Sequence, residues 1–444
     1  MWSPSVRLGC MSRRNREKRA AKQKNRRRGS AEGERKGFNP GSGPDREFIQ
    51  AMLVLALHQA AMCPDGDAQA HAAELIEEFS ASARDLDLAA DVAMVDAIQA
   101  AWEGGWSPSD LYEFARRKLE PSAVGYLTEA IVRESKRYAV STLHPRWRAD
   151  LAAISAGIDP NTQTPQMWRW AAVNGTDRCA ALTVVLKVLA LLGTLVVLEQ
   201  LLPLPGARQH TPAAAGEVDE KALARVRALL AKAEATDFPE EAEALSAKAQ
   251  DLMSRYSLHQ SVADYDRNRQ PVATGQRMWI DSPYAGAKAL LVQAVATANR
   301  CRAVWAENLG FVTVIGAETE INLVELLTTS LLVQANRAML VAGRQVSSGG
   351  HTRTRSFRQS FLVAYATRIG ERLNTTNAAV TAEMADSRLL PVLAARSQAA
   401  DELTDRLFPS MRHRSVSVSN RAGWGAGRAA ADLALFDVHA SVAG

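Results

Sequence analysis

The sequence predicts a mainly α-helical protein with a small sheet confined to its C-terminal half. Three observations lead there. The composition of the 444 residues is rich in Ala, Leu, Arg and Glu, with 47% hydrophobic residues, which favours helix. From Asp45 onward apolar side chains recur three and four residues apart, punctuated by capping residues and Gly/Pro stops. Only two runs read clearly as strands, Cys301–Ala306 and Phe311–Ile315, around a turn at Glu307–Gly310. The expected order is a disordered basic tail (1–44), an all-helical domain (45–206), a helical hairpin (217–260) and an α+β C-terminal domain (276–440).

The tail owes its reading to charge. Residues 1–36 hold 13 basic and three acidic side chains, +10, while the remaining 40 basic and 45 acidic side chains give −5. The whole-chain value of +5 therefore describes neither part. Without apolar periodicity, and ending in Gly37-Phe38-Asn39-Pro40-Gly41-Ser42-Gly43-Pro44, this stretch has nothing to fold around. Arg13, Arg14, Arg16, Lys18, Arg19, Lys22, Lys24, Arg26, Arg27 and Arg28 make it a candidate arm for phosphate contacts with nucleic acid. The competing reading is a solvated tail that aids solubility. Met11, followed by Ser12-Arg13-Arg14, reads as a natural first codon.

In the helical domain the first helix is led by Phe48, Met52, Leu55 and Gln59 and stops at Cys63-Pro64-Asp65-Gly66. Helices are expected at 71–83, through Val92, Val95, Ile98 and Trp102, at 121–140 and at 147–156. After Gly104-Gly105-Trp106, Ser107 is a natural N-cap, with Pro108 first and Asp110 third in the helix that follows. Trp102 and Trp106 read as core anchors rather than ligand-stacking residues. Residues 159–178 read as a polar loop. Cys179–Leu198 is apolar enough to raise a membrane span, but Lys187 sits near its middle, and a helix buried in protein is the favoured reading.

Beyond a short linker, Leu223, Val226, Leu230 and Ala233 form one apolar stripe, and Ala242, Leu245, Ala249, Leu252 and Tyr256 form another. Between them, Asp237-Phe238-Pro239-Glu240 has the arrangement of a capping box. Two such helices pack as an antiparallel hairpin, too small to stand alone. Arg227–Glu234, Glu240–Ala244 and Ala249–Tyr256 together resemble the bacterial family known as domain of unknown function 2786. The following region resembles the segment that often accompanies this domain, and Gly105–Leu111 is similar to actinobacterial members. The resemblance implies a helical hairpin in a bacterial or phage context and brings no catalytic residue to carry over.

In the C-terminal half a helix at 284–298 precedes the two strands, and helices follow at 318–342, 356–375 and 377–405, with a short strand at 415–419 and a last helix at 423–434. A nucleotide site after Gly316 is excluded, because Glu318 and Glu320 occupy the helix start where phosphate would sit. Gly423-Trp424-Gly425-Ala426-Gly427-Arg428 matches neither a P-loop nor a dinucleotide fingerprint. Gly423, Gly427 and Ala431 instead offer a smooth packing face. Arg344, His351, Arg353, Arg355, Arg358, Arg368 and Arg372 form a second basic region, read either as a phosphate-contacting patch or as a solvated face with Phe357, Phe361 and Tyr365 inward.

Cys10, Cys63, Cys179 and Cys301 are far apart, so no disulfide framework or zinc site is expected and a reducing compartment, the cytoplasm, is. No secretory signal peptide is visible. No metal-ligand spacing or nucleophile elbow is present, and no catalytic residue or cofactor is expected. The expected function is non-enzymatic nucleic-acid binding through the arm, helped by Arg353, Arg355 and Arg358. The alternatives are a hydrolase sited near Arg353, Arg358 and residues 415–428, or a protein-partner module at the hairpin. A membrane partner is not expected.

Overall fold

At four helix starts in the first half a side chain accepts from a free backbone amide among the described residues. The structure, a computed structural model, describes residues 46–64, 66–155, 158, 164–207, 217–235, 239–266, 272–345, 355–383, 387–411 and 419–433. The helices here are α1 (Arg46–Ala61), α2 (Ala68–Glu78), α3 (Ala83–Glu103), α4 (Pro108–Lys118), α5 (Pro121–Ser135), α6 (Pro145–Ile154), α7 (Gln166–Asn174) and α8 (Arg178–Gly193). Asp67 caps α2 and Asp177 caps α8 through their carboxylates. Ser107 and Asp110 close the expected capping box on α4. Proline opens α4, α5 and α6, where no amide is missed.

Leu53, Leu57, Leu86, Ile98, Leu111 and Leu182 are among the side chains that make one continuous core. Trp102 and Trp147 meet edge to face at 5.1 Å inside it, so Trp102 is the anchor its position suggested. Buried Glu134 accepts from the Trp102 indole (3.0 Å), Gln99 (3.2 Å) and the Tyr138 hydroxyl (2.8 Å), which offsets the cost of burying it. Helix α8 is buried along most of its length in this core, and Lys187 escapes to Glu120 at 2.7 Å. Among the described residues no helix is long and apolar enough to cross a membrane.

Two expectations for this half are corrected. Residues 159–178 are not all loop, since α7 lies within them; it is only nine residues long and buries Gln166 and Met167. Helix α1 also turns the opposite way from its leading stripe. Leu53 and Leu57 face the core, whereas Phe48 (64% exposed), Met52 (45%) and Leu55 (56%) face outward. The helix carries two apolar faces, and periodicity alone does not say which is inside.

The second half contains the hairpin α9 (Glu217–Ala235) and α10 (Pro239–Asp266), then β1 (Thr274–Trp279), α11 (Ala285–Ala298), β2 (Arg302–Ala306), β3 (Phe311–Gly316), α12 (Glu318–Gln345), α13 (Arg355–Glu383), α14 (Leu389–Leu407) and α15 (Arg421–Leu433). The chain is thus mainly helical with one small antiparallel sheet of order β1-β3-β2. Every residue of β3 is buried, as its Val/Ile-rich sequence demands. The hairpin's apolar stripe is spent within the chain: Val226, Leu230, Ala249 and Met253 join Val295, Val314, Val324 and Phe361 in a second core.

Strand β1 was missed within the polar stretch before residue 284 because it is an edge strand of mixed polarity, pairing Gln276 with Val314 and Trp279 with Phe311. The helices expected at 356–375 and 377–405 divide elsewhere: α13 runs unbroken to Glu383 and α14 begins at Leu389. The short strand expected at 415–419 falls almost wholly outside the described residues, as do residues 236–238 of the hairpin turn. Phe357, Phe361 and Tyr365 point inward. Helix α15 lies so close on α13 that a Cβ at Gly423 or Gly427 would overlap the carbonyls of Phe357 and Phe361. Glu320 does more than complement the dipole of α12. It is buried, ion-paired to Arg300 at 3.2 Å and Arg396 at 3.5 Å, and accepts from Ser257 of the hairpin at 3.3 Å.

Candidate functional site

A cleft of about 620 Å³ opens where α4, α6 and the turn before α4 meet β1 and α12. Its rim is fixed by Gly104-Gly105-Trp106. Gly105 has φ +85°, and a Cβ there would overlap the Leu198 carbonyl. The segment after α8 is tied along this turn. Leu198 N–H donates to the Gly104 carbonyl at 2.8 Å, and the Trp106 indole donates to Val196 at 2.9 Å.

Asp110 joins the two halves. Besides capping α4, it accepts from Arg277 Nη1 at 2.7 Å and from the Trp279 indole at 2.9 Å. Arg277 also donates to the carbonyls of Gly105 (2.9 Å) and Glu199 (2.6 Å). Both charged side chains of this pair are 5% exposed. On the outer wall Arg116 and Arg117 share Glu113 and Asp281, at 2.8 and 2.9 Å and at 2.5 and 2.7 Å respectively. The Arg117 guanidinium stands 4.8 Å over the Trp279 ring, a cation–π contact.

The inner wall is different. Ser109 Oγ donates to Asp150 at 2.8 Å, with Ser107 Oγ 3.1 Å from Ser109 Oγ. Burial pushes the Asp150 carboxyl up, and its hydrogen bonds from Ser109 and Ser107 pull it partway back. One turn before it on α6, Arg146 donates to Gly275 O at 3.0 Å and reaches Glu318 at 3.5 Å, while its Nη2 is buried without a hydrogen-bond partner. Burial pushes this guanidinium's pKa down.

Five carboxylates and four guanidinium groups line the cleft, so it is not a polyanion site. No described lining residue is a histidine, so Ser109 has no imidazole to take its proton. Among the described residues no group of three or more His, Cys, Asp or Glu is placed to hold a metal.

The arm residues Arg13 through Arg28 and Arg353 lie outside the described residues. Arg355 is exposed and Arg358 half-buried at the start of α13, and neither enters an ion pair among the described residues. Other members of that basic region are committed elsewhere. Arg368 pairs with Glu371 at 2.8 Å and with Asp432, and buried Arg372 donates to the carbonyls of Ala431 and Asp432. Sequence reasoning singled out the Ser107–Asp110 cap but missed Arg146, Asp150, Arg277 and Glu325. The short apolar run Met278-Trp279-Ile280 was a local signal available for β1.

Residues 221–260 match the family model described as Protein of unknown function (DUF2786), which is the hairpin whose stripes and turn carried the resemblance. No match to the chain is found among curated proteins or among solved structures.

Proposed function

We propose that this DUF2786-bearing chain is a non-enzymatic, cytoplasmic protein of bacterial type that binds nucleic acid through residues 13–28. The observation that carries this reading is the separation of charge, +10 in residues 1–36 against −5 in the rest. What the folded part adds is mostly negative evidence about itself. Its arginines are largely neutralised on site, as in Arg302–Asp401, Arg388–Asp266 (2.7 Å) and Arg428–Glu371 (3.0 Å). Arg355 and Arg358, near the start of α13, enter no ion pair among the described residues, and they would add a secondary contact. Attraction for a polyphosphate therefore rests on the charge of residues 1–36, and contacts to phosphates carry no sequence information, so binding is expected to be weakly sequence-dependent.

The test compares the full chain with a version lacking residues 1–36, using fluorescence anisotropy with labelled DNA and RNA. At low salt the deletion is expected to weaken binding by more than about tenfold. In the full chain, about six phosphate contacts would lower affinity by roughly 10³ between 50 and 200 mM salt. Equal binding by the two proteins removes the leader from the mechanism. No binding by the full chain at low salt refutes the function itself.

A further inference from the structure

We propose that the cleft between α4, α6, β1 and α12 is a binding site for a small zwitterion of the α-amino-acid class, independent of the leader and of the nucleic-acid reading. Three observations carry it.

Size is the first. About 620 Å³ lies within the range of small-molecule sites, roughly 300–1,000 Å³.

Charge is the second. Asp110 and Arg277 satisfy one another, as do Arg116 and Arg117 with Glu113 and Asp281. Less fully engaged are Arg146, whose contact with Glu318 is long at 3.5 Å, and Asp150 and Glu325. Arg146 and Asp150 are four residues apart on α6, hence on one face, yet they form no ion pair with each other. A cation at one position and carboxylates beside it match a molecule carrying both signs. The guanidinium fork suits a carboxylate, and Asp150 and Glu325 suit an ammonium group.

Unmet hydrogen-bonding capacity is the third. Arg146 Nη2 is a covered donor without a partner, on a side chain that remains 16% exposed, so a small turn of the guanidinium presents it to a ligand. Asn322 lines the opposite wall, and its side-chain amide enters no hydrogen bond. Glu325 has one carboxylate oxygen engaged, by Gln276 at 2.9 Å, and both Ser109 bonds to Asp150 fall on a single oxygen. Groups of this kind in a wall are costly unless something meets them.

Other ligand classes fit less well. A phosphate or nucleotide would face a carboxylate majority. A sugar ring ordinarily stacks on an exposed aromatic face, but Trp106 and Trp147 are only 1% and 2% exposed, and half-buried Trp279 already carries the Arg117 guanidinium 4.8 Å over its ring.

The experiment is isothermal titration of the full chain with each of the twenty amino acids, with inorganic phosphate and glucose as the contrasting arms. Saturable binding of at least one amino acid is expected, weakened more than tenfold by Asp150→Asn and several-fold by Asn322→Ala. Asn322 makes no side-chain hydrogen bond, so its removal leaves the fold intact and keeps the test valid if Asp150→Asn misfolds. The proposal is overturned if no amino acid binds, if only phosphate or glucose does, or if Asn322→Ala and a folded Asp150→Asn both bind as the parent does.

Discussion

Removing one member of the Asp110–Arg277 pair should cost far more than the pair is worth. Both side chains are nearly sealed from water, and Asp110 is met by Arg277, the Trp279 indole and the Ser107 amide. Breaking a buried pair typically costs about 3–5 kcal/mol, because the surviving charge is stranded. Asp110→Ala leaves Arg277 with only two carbonyls and Trp279 with an unmet donor, and it removes the Asp110 half of the capping box of α4. About 4 kcal/mol is expected. Arg277→Met leaves Asp110 two of its three donors, so about 3 kcal/mol is expected. The double substitution strands no charge and should cost about 4 kcal/mol rather than the additive 7, a coupling of about 3 kcal/mol. Urea unfolding followed by tryptophan fluorescence gives the cycle, and hydrogen exchange across residues 106–111 gives the local readout. A coupling below about 1 kcal/mol would refute the claim that this pair joins the two cores.

Other outcomes follow from single sites. Gly105→Ala should destabilise the chain by about 2 kcal/mol or more, since φ +85° and the Leu198 carbonyl both oppose a Cβ; the same urea titration checks it. Gly427→Ala should loosen α15 from α13, seen as faster amide exchange in residues 421–433 with exchange in α1–α8 unchanged. Gly125→Ala acts in the other direction: it lies on the exposed side of α5 with open space at its Cβ, and a gain of about 0.5–1 kcal/mol is expected. Asp150 binds its proton more tightly folded than unfolded, so its contribution is fullest below the ordinary value of 3.8 and is lost as pH rises through the higher folded value. Relative to Asp150→Asn, the parent should therefore lose stability as pH rises through the window just above 3.8, and a parallel or opposite trend in paired urea titrations would contradict that assignment.

Local features were legible because their causes are local. The Ser107-Pro108-Asp110 cap, the β-branched run of β3 and the hairpin stripes each need only neighbours in sequence. The smooth face of Gly423, Gly427 and Ala431 was readable for the same reason. Helix α1 defeated the reading because it has apolar residues on opposite sides, and only the position of α3 and α8 decides which side is covered. The arginines near α13 could be counted but not paired, since Asp432, which takes Arg368, lies 64 residues away. The cleft was invisible for the strongest version of this reason. Its walls come from residues 105–153, 200–202 and 275–329, and Asp110 and Arg277 are 167 residues apart.

The outward row on α1 begins four residues after Pro44, where the Gly/Pro stretch behind the basic segment ends. If residues 13–28 act as proposed, two kinds of adhesion adjoin and answer to solvent in opposite senses: dilute buffer would strengthen their hold on acidic surfaces, and concentrated sulfate the pull of Phe48, Met52 and Leu55 toward one another on different molecules. No single ionic strength quiets both, so purification and concentration of this chain should be easiest at intermediate salt.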